Sequence, residues 1–388
     1  MRTVAVVTVD RSDAGIYRPL LERLRGTPDL NLRVMVSGTH LSPEFGLTVH
    51  GLEEGGFPPA DRIEMLVSSD TPEGTGLSMG LGLQGFARSF ARSRPDLLVV
   101  LGDRFEMFCA ALAALPFRIP VAHIHGGEVT EGAMDDNLRH AMTKLSHLHF
   151  VSTADHGRRL ERMGEEPWRI TVAGALGLDN LEGLRLLSRG ELEKRIGMEF
   201  AADPVLVTFH PATLDEEDPG FQTEELLAVL AGCERPLIFS RPNADPRSRL
   251  ILEKIRAFAS GRSNVKVAET LGTDVYFSLM ATAAAMVGNS SSGLIEAPSF
   301  GLPVVNVGNR QRGRTRGANV IDADPRRESV AHALRRALDP AFRRSLKGAV
   351  NPYRPKPSAS ACIVGVLAEI VWNQRLIHKK FYEPGPEQ

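Results

Sequence analysis

Two histidines flank a single residue in "HIHGGE" (123–128), and a second H-x-H follows at His147 and His149. Alternate residues of a strand share a face, so His123 and His125 are expected on one face, the arrangement a metal pair needs. A metal also needs further ligands at workable spacing. Neither H-E-x-x-H nor H-x-x-E-H occurs, and Cys109, Cys233 and Cys362 are scattered without C-x-x-C spacing. No metal is expected, and the thiols read as buried and free. Imidazoles at a strand end suit proton transfer and hydrogen bonding, because they titrate near neutrality.

Carboxylates stand close by in sequence. Asp103 and Arg104 in "LGDRFE" end a β-rich run, where Asp103 can act as acid or base or can cap the next helix. The stretch "EGAMDDNLRHAMTKLSHL" (131–148) predicts a helix capped by Asp135, with Asp136 in its first turn and i,i+4 pairs Asp135/Arg139 and Asp136/His140. Either acid can serve chemistry beside "HIHGGE".

Anion binding is expected at "GNSSSGLIEA" (288–297). Its Ser290, Ser291 and Ser292 follow a strand and open a helix, offering hydroxyls and the first N–H groups to a phosphate. Glu296 sits nearly two turns on, where a carboxylate can accept ribose hydroxyls. Arg11 in "VDRSD" and Arg310 in "GNRQRGR" each follow a strand, and a planar guanidinium suits phosphate oxygens. "GLGLQG" (80–85) matches G-x-G-x-x-G but follows polar residues rather than a strand, so it reads as a flexible helix start and not a dinucleotide site. No Walker sequence occurs, and no cofactor is expected.

These residues need a scaffold. Short β-branched runs alternate with amphipathic stretches, the signature of parallel sheets. Strands are expected at 3–9, 32–38, 62–67, 96–102, 121–125 and 148–152, and again at 204–210, 236–240, 264–268, 284–289 and 302–307. The two sets predict two doubly wound α/β domains, 1–175 and 176–357, hinged near "ITVAGALGLDN" (170–180), with a helix over 358–378 crossing back to the first domain. Ligands of such sheets bind beyond the strand carboxyl ends, so the strand-end loops of both domains are expected to face one cleft.

Composition narrows the partners. Lys plus Arg (46) nearly cancels Asp plus Glu (47), so no field exists to hold nucleic acid. The N-terminal apolar run is too short for a signal peptide and no window reaches membrane-spanning length, so a cytoplasmic protein with no membrane partner is expected.

Taken together, "RSDAG", "SGTHLSPEFG", "GDRFE", "HIHGGEVTEGAMDDNLRHAMTKLSHLHFVS", "FHPAT", "PNAD" and "GNSSSGLIEAPSFGLPVVNVGNRQRGR" resemble the UDP-N-acetylglucosamine 2-epimerase family, in particular its hydrolysing branch. The resemblance implies the GT-B architecture, two Rossmann-like domains flanking a nucleotide-sugar cleft, in a homodimer or homotetramer. It implies nucleotide and diphosphate roles for Arg11, His210, Asn243, Ser290, Ser291, Glu296 and Arg310, and sugar-side roles for His40, Asp103, Arg104, His123, His125 and Asp135. The implied reaction eliminates UDP from UDP-GlcNAc to a 2-acetamidoglucal and then adds water, releasing ManNAc; N,N'-diacetylbacillosamine carried on UDP or GDP is an alternative substrate, and a GT-B glycosyltransferase and a nucleotide-sugar sensor without turnover are the rival readings. At the position of His125 many relatives carry glutamate; Glu128, three residues on, can supply an acid or bind backbone N–H groups.

Overall fold

The β-branched runs form strands of two parallel sheets in a computed structural model that describes residues 1–69, 71–130, 134–211, 218–241, 248–268, 271–354 and 357–383. By their contacts the residues divide into two units. Unit 1 holds the chain to Glu128, Met134–Glu182 and the stretch from Tyr353, while Val129, Thr130 and Gly183–Pro352 belong to unit 2.

Unit 1 contains β1 (Arg2–Thr8), β2 (Leu30–Ser37), β3 (Asp61–Ile63), β4 (Leu97–Leu101), β5 (Val121–Ile124), β6 (Leu148–Val151) and β7 (Ile170–Val172), in the order β3-β2-β1-β4-β5-β6-β7. Val6 pairs in parallel with Val34 on one side and Val99 on the other. Val4 to Val7 are fully buried, as a strand covered on both faces requires. The order reverses between β1 and β4, the switch point beyond whose carboxyl ends α/β sheets hold ligands. Its helices include α1 (Arg11–Arg25), α2 (Val49–Glu54), α3 (Pro72–Arg92), α4 (Phe105–Ala114) and α5 (Met134–Leu145).

Unit 2 repeats the plan with β8 (Val205–Thr208), β9 (Leu237–Ser240), β10 (Val265–Ala268), β11 (Ala285–Gly288), β12 (Val304–Val307) and β13 (Val320–Ala323), ordered β10-β9-β8-β11-β12-β13. The reversal falls between β8 and β11, again placing two strand ends side by side. Val205, Val207, Phe209, Phe239 and Val305 are central in its apolar core.

Several expectations change. Residues 170–180 hold β7 and a 3-10 helix, Leu176–Leu181, both in unit 1. The strand expected over 62–67 ends at Ile63. "GLGLQG" is helix interior, not a helix start: a Cβ on Gly82 would come 2.4 Å from the Met65 methyl, and one on Gly85 2.5 Å from an Ile63 methyl, so the glycines let α3 seat closely on the chain beneath it. The helix expected over 358–378 is two pieces, Ala359–Glu369 and Gln374–Ile377. Side chains capture carbonyls at the break and at the end of the second piece. Arg2 donates to the carbonyls of Ala368 and Ile370, and Arg169 to those of Arg375, Leu376 and His378. Asp179 holds the other end, accepting from the N–H groups of Ala359 (3.0 Å) and Ser360 (2.6 Å). No disulfide is present; Cys109 is buried, whereas Cys233 and Cys362 are half-buried. No helix among the described residues is long and apolar enough to cross a membrane.

Candidate active site

In unit 1 the hub of the strand-end groups is Arg139, a residue that sequence spacing marks only as a surface i,i+4 partner. Its guanidinium is 2% exposed and ion-pairs with Asp103 and, at 3.2 Å, with Asp136. Burial acts against its charge, but Asp103, Glu128 and Asp136 hold its pKa above the ordinary value. The expected capping roles do not form. Arg104, not Asp103, occupies the N-cap of α4, and Asp103 turns instead to Arg139. Asp135 lies inside the first turn of α5 with Asp136. Asp136 also approaches His140, at 3.5 Å. Thus one guanidinium holds carboxylates from two elements, the end of β4 and the start of α5.

The metal-like pair dissolves for a backbone reason. β5 ends at Ile124, and His125 has φ 65°, in the left-handed region, so alternation no longer applies to it. His123 is fully buried, its Nε2 donating to the Gly102 carbonyl at 2.7 Å; burial first, then neighbouring charges, pushes its pKa down to about 3, so it is neutral at physiological pH. His125 is more open. Its Nε2 accepts from the Leu176 N–H at 3.2 Å, which puts the ring proton on Nδ1, 3.6 Å from a Glu128 carboxylate oxygen. Glu128 accepts from the Ser152 hydroxyl at 2.7 Å and is 4% exposed. Among the described residues no group of three or more His, Cys, Asp or Glu could hold a metal ion.

At the switch point lies a cluster that the sequence hides. Asp10 caps α1, accepting from the Asp13 N–H and the Ser12 hydroxyl, and ion-pairs with Arg104. Burial raises the Asp10 pKa, but Arg104 and those donors outweigh it and hold it below the usual range. Asp13 and Glu106 behave oppositely. Burial drives Asp13 well up and Glu106 up to about 7, and each keeps one carboxyl oxygen buried without a partner among the described residues. His40 is enclosed between the Thr8 hydroxyl (2.9 Å from Nε2) and the Thr48 hydroxyl (2.8 Å from Nδ1), and burial lowers its pKa to about 4. Both of its nitrogens are engaged, so His40 supports the loop after β2. Arg11 is the exposed first residue of α1.

In unit 2 the anion loop sits on a closely packed strand end. Gly288 has φ 138°, and a Cβ there would lie 1.9 Å from the Thr208 carbonyl oxygen, so no other residue fits without moving backbone. Next in line, the Asn289 side chain bridges the backbone of His210, accepting from its N–H (2.7 Å) and donating to its carbonyl (2.8 Å). The Asn289 carbonyl accepts from Gln311 (2.8 Å) and Arg310 (3.4 Å), which brings Arg310 to the loop. The N–H groups of Ser290 and Ser291 donate to no described residue, whereas Ser292 donates to the Ser290 hydroxyl. That leaves two adjacent amides available to an anion.

The long helix expected after the serines is one turn, Ser292–Ile295, and Glu296 follows it at the start of a 3-10 helix. The helix dipole is accordingly small, and the donors that matter are local. His210 is 5% exposed, and burial, then Arg310, lowers its pKa to about 3. Tyr276, not anticipated, lies beside Ser292, Thr208 and Ser290; burial pushes its phenol up to about 12. Asn243 lies outside the described residues, as do Ala212 and Thr213 of "FHPAT".

Known proteins are similar to this chain in sequence and in fold. The model of the family described as UDP-N-acetylglucosamine 2-epimerase matches residues 22–368. A Campylobacter jejuni protein named GDP/UDP-N,N'-diacetylbacillosamine 2-epimerase (hydrolyzing) is 38% identical over 83% of this chain and 84% of its own. The polysialic acid biosynthesis protein P7 of Escherichia coli is 32% identical over 99% and 98%. The crystal structure of UDP-GlcNAc 2-epimerase from Neisseria meningitidis bound to UDP-GlcNAc superposes with a TM-score of 0.80 at 19% identity, covering 95% of this chain and all of that one. The fold is therefore GT-B, with two Rossmann-like units, and the chain belongs to the UDP-N-acetylglucosamine 2-epimerase family.

Proposed function

We propose that the chain is a hydrolysing nucleotide-sugar 2-epimerase that converts UDP-GlcNAc and water to ManNAc and UDP. The observation that carries this is the pair of strand-end sets: carboxylates gathered on Arg139 in unit 1, and a loop with free amides, serine hydroxyls and Arg310 in unit 2. The first step breaks the C2–H and C1–O bonds, a base taking the C2 proton while the diphosphate leaves with the C1–O electrons. Water then adds its oxygen to C1 of the glucal, and C2 receives a proton from the opposite face.

The C2–H bond is weakly acidic, so departure of the diphosphate needs preorganised positive charge and donors; Arg310 and Arg11 supply the charge, and the N–H and hydroxyl groups of Ser290 and Ser291 supply hydrogen bonds. Asp103, with Asp135 and Asp136 on the facing helix, carries the proton transfers. Each such group contributes about 100- to 10,000-fold. Arg104 contacts the sugar side with His123 buttressing the strand end behind it, His125 adds an Nδ1–H donor steadied by Glu128, and His210, Asn243 and Glu296 complete the nucleotide side. In this reading the enzyme is a cytoplasmic homodimer or homotetramer serving sialic acid biosynthesis, which the polysialic acid relative supports.

The second reading is the same reaction on UDP- or GDP-N,N'-diacetylbacillosamine, favoured by the name of the 38% identical relative. Incubation with each nucleotide sugar separately in heavy water decides. Free 2-epimerised sugar with deuterium at C2 is expected. Activity without deuterium at C2 excludes elimination, and no product from UDP-GlcNAc alone transfers the assignment to the diacetylated substrate.

A further inference from the structure

Three buried acids, Asp10, Asp13 and Glu106, surround one guanidinium, Arg104, at the ends of β1 and β4, and their exposures are 9%, 7% and 2%. Ionising all three would leave two negative charges uncompensated in a dry setting, which proteins avoid by keeping protons on such groups. The unpartnered oxygens mark the two acids that lack donors to hold both oxygens of a carboxylate. Asp10 is committed as a carboxylate to Arg104 and to the α1 cap, whereas Asp13 Oδ2 and Glu106 Oε2 contact no donor among the described residues. Arg104 is 37% exposed on its side chain, so its outer face reaches beyond the cluster.

We propose that Glu106 is a positioning residue acting through Arg104: while Glu106 holds a proton, Arg104 offers its charge to an anionic substrate, and when Glu106 ionises that charge is drawn inward and anion binding weakens. The proposal rests on the nucleotide-sugar reading for its substrate, though not for the proton itself. The groups facing Glu106 support the direction. Arg104 favours ionisation, as does the N–H of Glu106 itself in the first turn of α4, whereas burial, Asp10 and Asp135 oppose it. Asp13 feels Glu106 in turn, and the Cys109 thiol, one turn along α4, is pushed up to about 12 by burial and then by Glu106. Nearby, α3 brings Gly82, the Met79 carbonyl and the Leu83 backbone to Cys109. His40 stays neutral through this range, and Tyr17 is raised well above 10 by burial and then Asp13. The balance leaves Glu106 near 7, poised to titrate at physiological pH.

The test follows KM and kcat for UDP-GlcNAc across roughly pH 6 to 8.5 in the wild type, Glu106→Gln and Asp13→Asn. Wild-type KM is expected to rise on the order of tenfold, the effect of one unit charge at roughly 10 Å through an effective dielectric of about 20. Glu106→Gln should flatten that rise and Asp13→Asn should keep it. A rise unchanged in Glu106→Gln, or abolished by Asp13→Asn, overturns the proposal. Infrared difference spectra over the same range give a readout free of turnover. A carboxylic acid band that titrates in the wild type and is missing in Glu106→Gln supports the proposal even if no nucleotide sugar is a substrate. Its absence from the wild type refutes the proposal whether or not the variant folds.

Discussion

Asp103 and Arg139 can be taken apart in a double-mutant cycle. Arg139→Met keeps the length of the side chain and removes a guanidinium that is 2% exposed, leaving Asp103 (26% exposed) and Asp136 (24%) near each other without their cation. Removing one partner of a buried pair costs about 3–5 kcal/mol; both acids still reach water, so the lower end, about 3 kcal/mol, applies. Asp103→Asn keeps shape and leaves Arg139 its contact with Asp136 at 3.2 Å, so about 1.5 kcal/mol is expected. The double variant should lose less than the sum by about 1–2 kcal/mol, because the bond is lost only once. Urea unfolding followed by tryptophan fluorescence suits the measurement: Trp168 and Trp372 both lie in unit 1 and are the only tryptophans in the chain. In parallel, Asp103→Asn should slow UDP release in a single turnover by about 100-fold or more if Asp103 moves a proton. A coupling energy indistinguishable from zero would refute the hub reading, and unimpaired UDP release from Asp103→Asn would remove it from the chemistry.

Two further outcomes follow from buried contacts. Glu165 is fully buried and accepts from His149 (2.9 Å), Lys144 (2.7 Å) and Lys379 (2.6 Å); burial raises its pKa, but these donors overcome that and hold it at about 2, below its ordinary 4.5. A folded pKa depressed in this way stabilises above pH 4.5 and is lost as pH falls towards 2, so Glu165→Gln should cost about 3 kcal/mol near neutrality and progressively less in acid; a penalty independent of pH contradicts the assignment. Gly288→Ala places a methyl 1.9 Å from the Thr208 carbonyl, so it should displace the serine loop and weaken UDP binding, measured by calorimetry, by at least tenfold, about 1.4 kcal/mol; unchanged affinity in a folded variant would separate the loop from the nucleotide.

Eleven strands were readable, most of them because buried parallel strands are continuous apolar runs, as in "LLVVL" and "VLVT". The two not anticipated are edge strands. β7 is only "ITV", and β13 is "VIDA", whose Asp322 pairs with Arg316 at 2.8 Å and so reads as polar. At the site, residues that follow strands directly, such as Asp103, Ser290 and Arg310, could be picked out by position. Arg139 could not, because its spacing from Asp135 resembles an ordinary exposed helix pair and only packing shows it enclosed. Glu106 and Asp13 stayed hidden for a similar reason: an acid in the first turn of a helix is commonplace, and burial alone turns it into a proton holder. His125 misled in the other direction, since strand alternation fails at a residue whose backbone has already left the strand.

The chain leaves unit 1 after Glu182 and returns at Tyr353, so the helix Ala359–Glu369, whose Ile363 and Leu367 are fully buried in the unit 1 core, is made only after Gly183–Pro352. On the ribosome the apolar faces of α1 and of the 3-10 helix Leu176–Leu181 that this helix covers therefore wait exposed while all of Gly183–Pro352, a continuous segment, is synthesised and can fold ahead of it. A stop codon shortly before Ala359 would leave unit 2 whole and unit 1 sticky, giving an aggregating product rather than a merely shortened one.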